Sequence, residues 1–187
     1  MKVISIPPVV AGTSSLGNLY EELPFERKLG IVQSYIDAMG SQVPVFDTAG
    51  KYGAGLALEV LGLCLRQLGV KPDQVVISNK LGWLRKPLLT AEPSFEPGVW
   101  KNLAYDAEQR ISYDGILECY EQGCMLLGQY RPQMVSVHDP DEYLNAAGSS
   151  SQYKERFQDI LDAYKALHRL KEEGVVQSVG VGAKNWQ

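Results

Sequence analysis

Five short segments rich in β-branched residues, the first four each leading through a polar turn into helix-like periodicity, restrict this chain to a small set of folds. The strand candidates lie at residues 9–13, 45–47, 75–80, 134–138 and 178–182. Between them, Pro24 opens a helix with Phe25, Leu29, Val32 and Ile36 on one face, and Gly40 supplies its stop. Leu58, Leu61, Leu65 and Leu68 make a second stripe that ends at Gly69, with Pro72 beyond. Ser112 is a suitable N-cap for a third helix carrying Ile116, Tyr120 and Leu127. Phe157, Leu161, Tyr164 and His168 mark the face of a fourth, which ends near Gly174 and leaves His168 as a partly buried helical residue. Strands that alternate with helices imply right-handed βαβ units and a parallel sheet.

In such folds function gathers at the carboxyl ends of the strands. Three successive candidates carry ionisable residues there: Asp47, Lys80 and His138. A carboxylate at the end of an apolar strand needs a partner, because a lone buried charge is costly. Lys80 on the next strand is a candidate, and Tyr52 lies in the turn that follows Asp47. A structural ion pair between Asp47 and Lys80, with Tyr52 packed at the rim, satisfies the same pattern. Lys51 adjoins Tyr52 but receives no role from the pattern.

Composition excludes several classes. A net charge of -4 without any block of like charges offers no nucleic-acid-binding face. No run of about 18 apolar residues and no signal-peptide pattern follows Met1, so the expectation is a cytoplasmic protein with no membrane partner. Cys64, Cys119 and Cys124 lack metal-site spacing and fall within helical patterns, which predicts buried reduced thiols and no metal site. From Leu84 to Arg110 the periodicity disappears around Pro87, Pro93 and Pro97. A loop of that length is often functional, and Trp83, Trp100 and Tyr105 suggest a lid or substrate wall, with plain disorder the alternative.

The segment Asp47-Thr48-Ala49 with Tyr52-Gly53, then Lys80, then His138, resembles the Asp, Tyr, Lys and His tetrad of the aldo-keto reductase superfamily. The turn from Gly12 to Asn18 resembles that family's first strand and turn. The segment from Leu170 to Gly174, followed by Gly180-Val181-Gly182 and Asn185, resembles its fifth-strand signature. The first turn, the end of the fifth strand and the loop after the third are most similar to the sugar-oxidising branch, the aldose and fucose dehydrogenases. The resemblance implies a (β/α)8 TIM-barrel fold of which the first five βα units are present here. Such a barrel typically takes about 250 residues. Residues 1–187 are therefore expected to be the N-terminal part of a single barrel domain, completed by a further C-terminal segment or by self-association.

The resemblance also implies roles. Tyr52 becomes the general acid/base, Lys80 and Asp47 its tuning pair, and His138 the group that orients the substrate oxygen. Elementary chemistry supports these roles: hydride arriving at a carbonyl leaves negative charge on oxygen, so a nearby proton donor lowers the barrier. A phenol has a reference pKa of about 10, and an adjacent ammonium favours its ionised form. The implied cofactor is NADP(H) or NAD(H), with Thr13, Asp47 and Asn185 as candidate contacts and a sugar or aldehyde as substrate. The chain has Lys184-Asn185 where the family often has Ser-Asn. The dinucleotide fingerprint GxGxxG does not occur, as expected for binding outside the Rossmann scheme. Two other expectations stand beside an enzyme: a nucleotide-binding scaffold of the same fold, and an inactive truncated fragment.

Overall fold

A computed structural model describes residues 4–185. Its centre is a five-stranded parallel sheet in the order β1-β2-β3-β6-β7. These strands are β1 (Ala11–Gly12), β2 (Val45–Ala49), β3 (Val76–Leu81), β6 (Met134–His138) and β7 (Ser178–Gly182). The helices are α1 (Phe25–Met39), α2 (Leu56–Gln67), α3 (Tyr113–Leu126), the short α4 (Pro140–Asn145) and α5 (Ser150–Glu172). All five expected strands are present, although the first is shorter than its sequence suggests. Val9 and Val10 are exposed, and only Ala11 and Gly12 pair with β2.

Side-chain alternation divides the sheet into two faces. Phe46, Ile77, Val135 and Val137 point to the helices and are buried there. One cluster joins Phe46 and Ile77 to Val32 of α1 and to Leu58, Leu61 and Leu65 of α2. A second joins Val135 and Val137 to Ile116 of α3 and to Ile160, Ala163, Leu167 and Leu170 of α5. The other face carries polar or small residues in register. Asp47 lies opposite Ser78, Ser78 opposite Met134, Lys80 opposite Ser136, and His138 opposite Gly182. This face borders a cavity.

Two features differ from the sequence-based expectation. The aperiodic segment contains an antiparallel hairpin, β4 (Trp83–Pro87) against β5 (Tyr105–Gln109). Charged residues at adjacent positions mask its period, and Pro87 occupies the end of its strand. Gln122 of α3 supports the outer edge of β4: its Oε1 accepts from the Arg85 N–H at 2.7 Å and its amide donates to the Arg85 carbonyl at 3.1 Å. In α5 the buried face is Ile160, Ala163, Leu167 and Leu170, whereas Phe157 and Leu161 are exposed. His168 is exposed too, not partly buried. The small Ala163 and Ala166 let α5 approach the sheet and α3, and this close contact outweighs the larger side chains one face away.

The three cysteines are free and buried, as expected. Among the described residues, no helix is long and apolar enough to cross a membrane.

Candidate active site

A cavity of about 670 Å³ opens at the carboxyl ends of the parallel strands and brings Asp47, Tyr52, Lys80 and His138 together. Lys80 is two register positions beyond Asp47, paired with Ala49, so its stem turns back to bring the ammonium onto the Asp47 carboxylate in a direct salt bridge. Ser78 donates from Oγ to the other oxygen, Oδ1, at 3.3 Å. Gly182 makes room for the lysine, since a Cβ there would meet Lys80 Cδ at 2.6 Å. The ammonium lies 4.9 Å from the centroid of the Tyr52 ring.

Tyr52 is held from its backbone side. The turn after β2 packs against the 3-10 turn at residues 14–17, and both contact positions are glycine. A Cβ on Gly17 would meet Tyr52 backbone atoms at 2.8 Å, and one on Gly53 would meet the Gly17 carbonyl oxygen at 2.3 Å. Gly53 also has φ +61, a left-handed conformation that glycine adopts at little cost. Above the phenol ring sits the Trp100 indole, 5.9 Å between centroids, and His138 approaches edge-on at 5.7 Å.

The imidazole of His138 is only 4 % exposed, and its Nδ1 has no hydrogen-bond partner among the described residues. Burial pushes its pKa down to about 2, assisted by the positive charges of Lys80, Lys51 and Lys184. The Asp139 carboxylate, 3.6 Å from Nε2, does not reverse this, because it is itself engaged by Lys51 and Lys184. His138 is thus a neutral hydrogen-bonding group at ordinary pH.

A stability consequence follows. The unfolded value of about 6.5 exceeds the folded one, so the unfolded chain binds the extra proton in the interval between them. The stabilisation is present above pH 6.5 and is lost as pH falls, with a limiting slope of about 1.4 kcal/mol per pH unit. Urea unfolding between pH 7 and 5 is expected to show a steeper loss for the wild type than for His138→Asn. Parallel curves would show that His138 is not buried neutral.

The other expected contacts divide. Thr13 is buried, and its hydroxyl donates to the Asp47 carbonyl at 3.0 Å, so it braces the strand end rather than lining the cavity, where Ser14 appears instead. Asn185 lies past β7, exposed, with its backbone N–H donating to Asp141 Oδ2 at 2.9 Å. Of the three aromatic residues expected to form a substrate wall, only Trp100 lines the cavity. Tyr105 is exposed under the Arg85 guanidinium, and Trp83 stacks toward Phe95.

The residue without a role in the sequence pattern, Lys51, is buried at the cavity mouth. Its ammonium meets Glu96 Oε1 at 2.8 Å, Asp139 Oδ2 at 3.3 Å and Glu142 Oε2 at 3.7 Å. Only its position next to Tyr52, in a turn at the functional edge, could have marked it from sequence.

A salt-bridged lysine beside a tyrosine, with a neutral histidine across the cavity, is an arrangement that can move a proton to or from a substrate oxygen. The chain is 28% identical to the D-threo-aldose 1-dehydrogenase of a Pseudomonas species, covering 96% of this chain and 51% of that protein. It is 26% identical to the pyridoxal 4-dehydrogenase of Microbacterium luteolum, covering 98% and 54% respectively. The chain thus spans about half the length of the curated relatives it matches. Among solved structures, a glycerol dehydrogenase from Gluconobacter oxydans superposes with a TM-score of 0.62 at 18% identity, over 93% of this chain and 44% of that one. An aldo-keto reductase from Klebsiella pneumoniae in complex with NADPH gives 0.57 at 20%, over 94% and 45%. The five parallel strands therefore correspond to part of a (β/α)8-type barrel. With the aldo/keto reductase family model matching residues 8–187, this chain belongs to the aldo/keto reductase family.

Proposed function

We propose that the protein is an oxidoreductase that uses a nicotinamide cofactor, NADP(H) or NAD(H), to interconvert the alcohol and carbonyl forms of a sugar or aldehyde. The observation that carries this reading is the Lys80 ammonium, bound to Asp47 and 4.9 Å from the Tyr52 ring on the wall of one cavity with His138.

The cavity suits a flat cofactor ring on its β7 side. Gly180 and Gly182 line it, and a Cβ on Gly180 would meet nothing closer than the Ser136 Cβ at 4.0 Å. Asp47 lines the same cavity from β2 and Asn185 lies just beyond the end of β7, and we assign both to cofactor contact. Thr13 contributes through the Asp47 carbonyl it braces. The bound nicotinamide supplies or accepts the hydride. In reduction, Tyr52 gives its phenolic proton to the carbonyl oxygen as that oxygen gains charge; in oxidation, it receives the hydroxyl proton. Lys80 sets a positive charge beside the phenol ring, Asp47 holds Lys80 in place, and neutral His138 donates an N–H to the same oxygen.

The Trp100 indole offers an apolar surface on which a sugar ring can stack, which supports a sugar over a small aldehyde. We further propose that residues 1–187 form the N-terminal part of a single barrel domain. Support comes from β7, which lies at the sheet edge with Val181 61% exposed, and from the exposed Phe157 and Leu161 on the helix face that includes Tyr164. An unpaired edge of this kind requires covering.

The test is nicotinamide absorbance with a panel of aldoses and aldehydes, on the protein at its natural length. Turnover of an aldose is the expected result. Tight cofactor binding without turnover of any substrate would replace the enzyme with a nucleotide-binding scaffold.

A further inference from the structure

We propose that Lys51 is a positioning residue for substrate, holding the Trp100 indole over the cavity through Glu96. The substrate part rests on the function proposed above; the placement of Trp100 does not.

A buried ammonium requires compensation, and three carboxylates converge on this one, Glu96 from the segment before Trp100 and Asp139 and Glu142 from the start of α4. Glu96 uses both of its oxygens. Oε1 receives Lys51 at 2.8 Å, while Oε2 accepts the Trp100 indole N–H at 2.7 Å. One carboxylate therefore links the residue beside Tyr52 to the aromatic wall above it. The backbone near Trp100 is fastened independently: the Tyr20 N–H donates to the Val99 carbonyl at 2.8 Å, and the Lys101 N–H to the Asn18 carbonyl at 3.0 Å. Those bonds fix where the segment runs; the indole ring packs on Phe95 at 6.4 Å and Tyr52 at 5.9 Å, and the Glu96 bond holds its N–H edge.

Lys51 also reaches Asp139, the residue after His138, at 3.3 Å. A single ammonium thus spans the turn carrying Tyr52, the segment carrying Trp100 and the strand end carrying His138. Stacking on an indole face favours a substrate with a ring, so an open-chain aldehyde should not register the loss of this clasp.

Lys51→Met keeps the length of the stem and removes the charge. The first measurement is acrylamide quenching of tryptophan fluorescence, with Trp100→Phe introduced in each background to isolate the Trp100 signal. Trp100 is 5% exposed, and its quenching constant is expected to rise about threefold in Lys51→Met and to return toward the wild-type value in Lys51→Arg. The second is steady-state kinetics with D-arabinose and propanal. KM for arabinose should rise about tenfold with kcat within about threefold, KM for propanal should stay within about threefold, and Lys51→Arg should restore most of the loss.

If Lys51→Met does not fold, Glu96→Ala cuts the same clasp from its more exposed side, with the same expected results. Unchanged Trp100 quenching in a folded variant overturns the proposal, as does an equal loss for both substrates that arginine does not rescue. Absence of turnover by the wild type would defeat the enzyme reading alone, and quenching would still decide the role of Lys51 in placing Trp100.

Discussion

Tyr52→Phe is expected to lower kcat by about 10²- to 10⁴-fold while leaving cofactor affinity within about threefold. The substitution removes one oxygen and little else. Packing at the ring, against Trp100 at 5.9 Å and His138 at 5.7 Å, depends on the aromatic plane and survives in phenylalanine. The glycine contacts that place the turn involve backbone atoms of residue 52 and are equally preserved. A loss of rate therefore reports the proton and not the fold. Rapid-mixing kinetics give the turnover, and titration of nicotinamide fluorescence gives the affinity. An unchanged kcat would remove Tyr52 from proton transfer and leave it a cavity wall.

Lys80→Met should show two losses that separate in measurement. The catalytic loss is expected at about 10²-fold or more in kcat, because the positive charge beside the Tyr52 ring has gone. The second loss is in stability. Lys80 is largely buried, and Asp47 would keep only the Ser78 hydroxyl as a side-chain partner among the described residues. Removing one partner from a fully buried pair costs about 3–5 kcal/mol, but the Asp47 side chain is 34% exposed, so water recovers part of that. About 1–2 kcal/mol is expected, read from urea unfolding near neutral pH. Asp47→Asn in the same background should recover some stability and no activity. A variant with wild-type turnover would reduce the pair to a structural ion pair between adjacent strands.

The tetrad was legible in the chain because parallel βα repetition forces every strand end to the same edge. Asp47, Lys80 and His138 lie toward three such ends on adjacent strands, each two register positions further along than the one before. Tyr52 follows from the same logic, since the turn after β2 has to pass over that edge. Lys51 was illegible because its partners, Glu96 in the segment before Trp100 and Asp139 and Glu142 at the start of α4, are far from it in sequence and meet it only in the complete fold. The hairpin was hidden for a related reason: Lys86 and Asp106 face each other across strands separated by the long aperiodic segment, and neither strand alternates cleanly. In α5, hydrophobic size pointed to Phe157 and Leu161, whereas close packing selected Ala163 and Ala166. Periodicity identifies a helix more readily than it identifies the face that must approach a neighbour.

Hydride transfer itself can be followed directly by isotope. The protein at its natural length would be incubated with NADP⁺ or NAD⁺ and an aldose deuterated at C1, and the recovered nicotinamide cofactor weighed by mass spectrometry. The arrangement of Asp47, Tyr52, Lys80 and His138 around one cavity predicts a reduced cofactor carrying one deuterium from the sugar, lost in Tyr52→Phe. Reduced cofactor without deuterium, or none from any aldose or aldehyde tested, would contradict a hydride-transfer site at these residues.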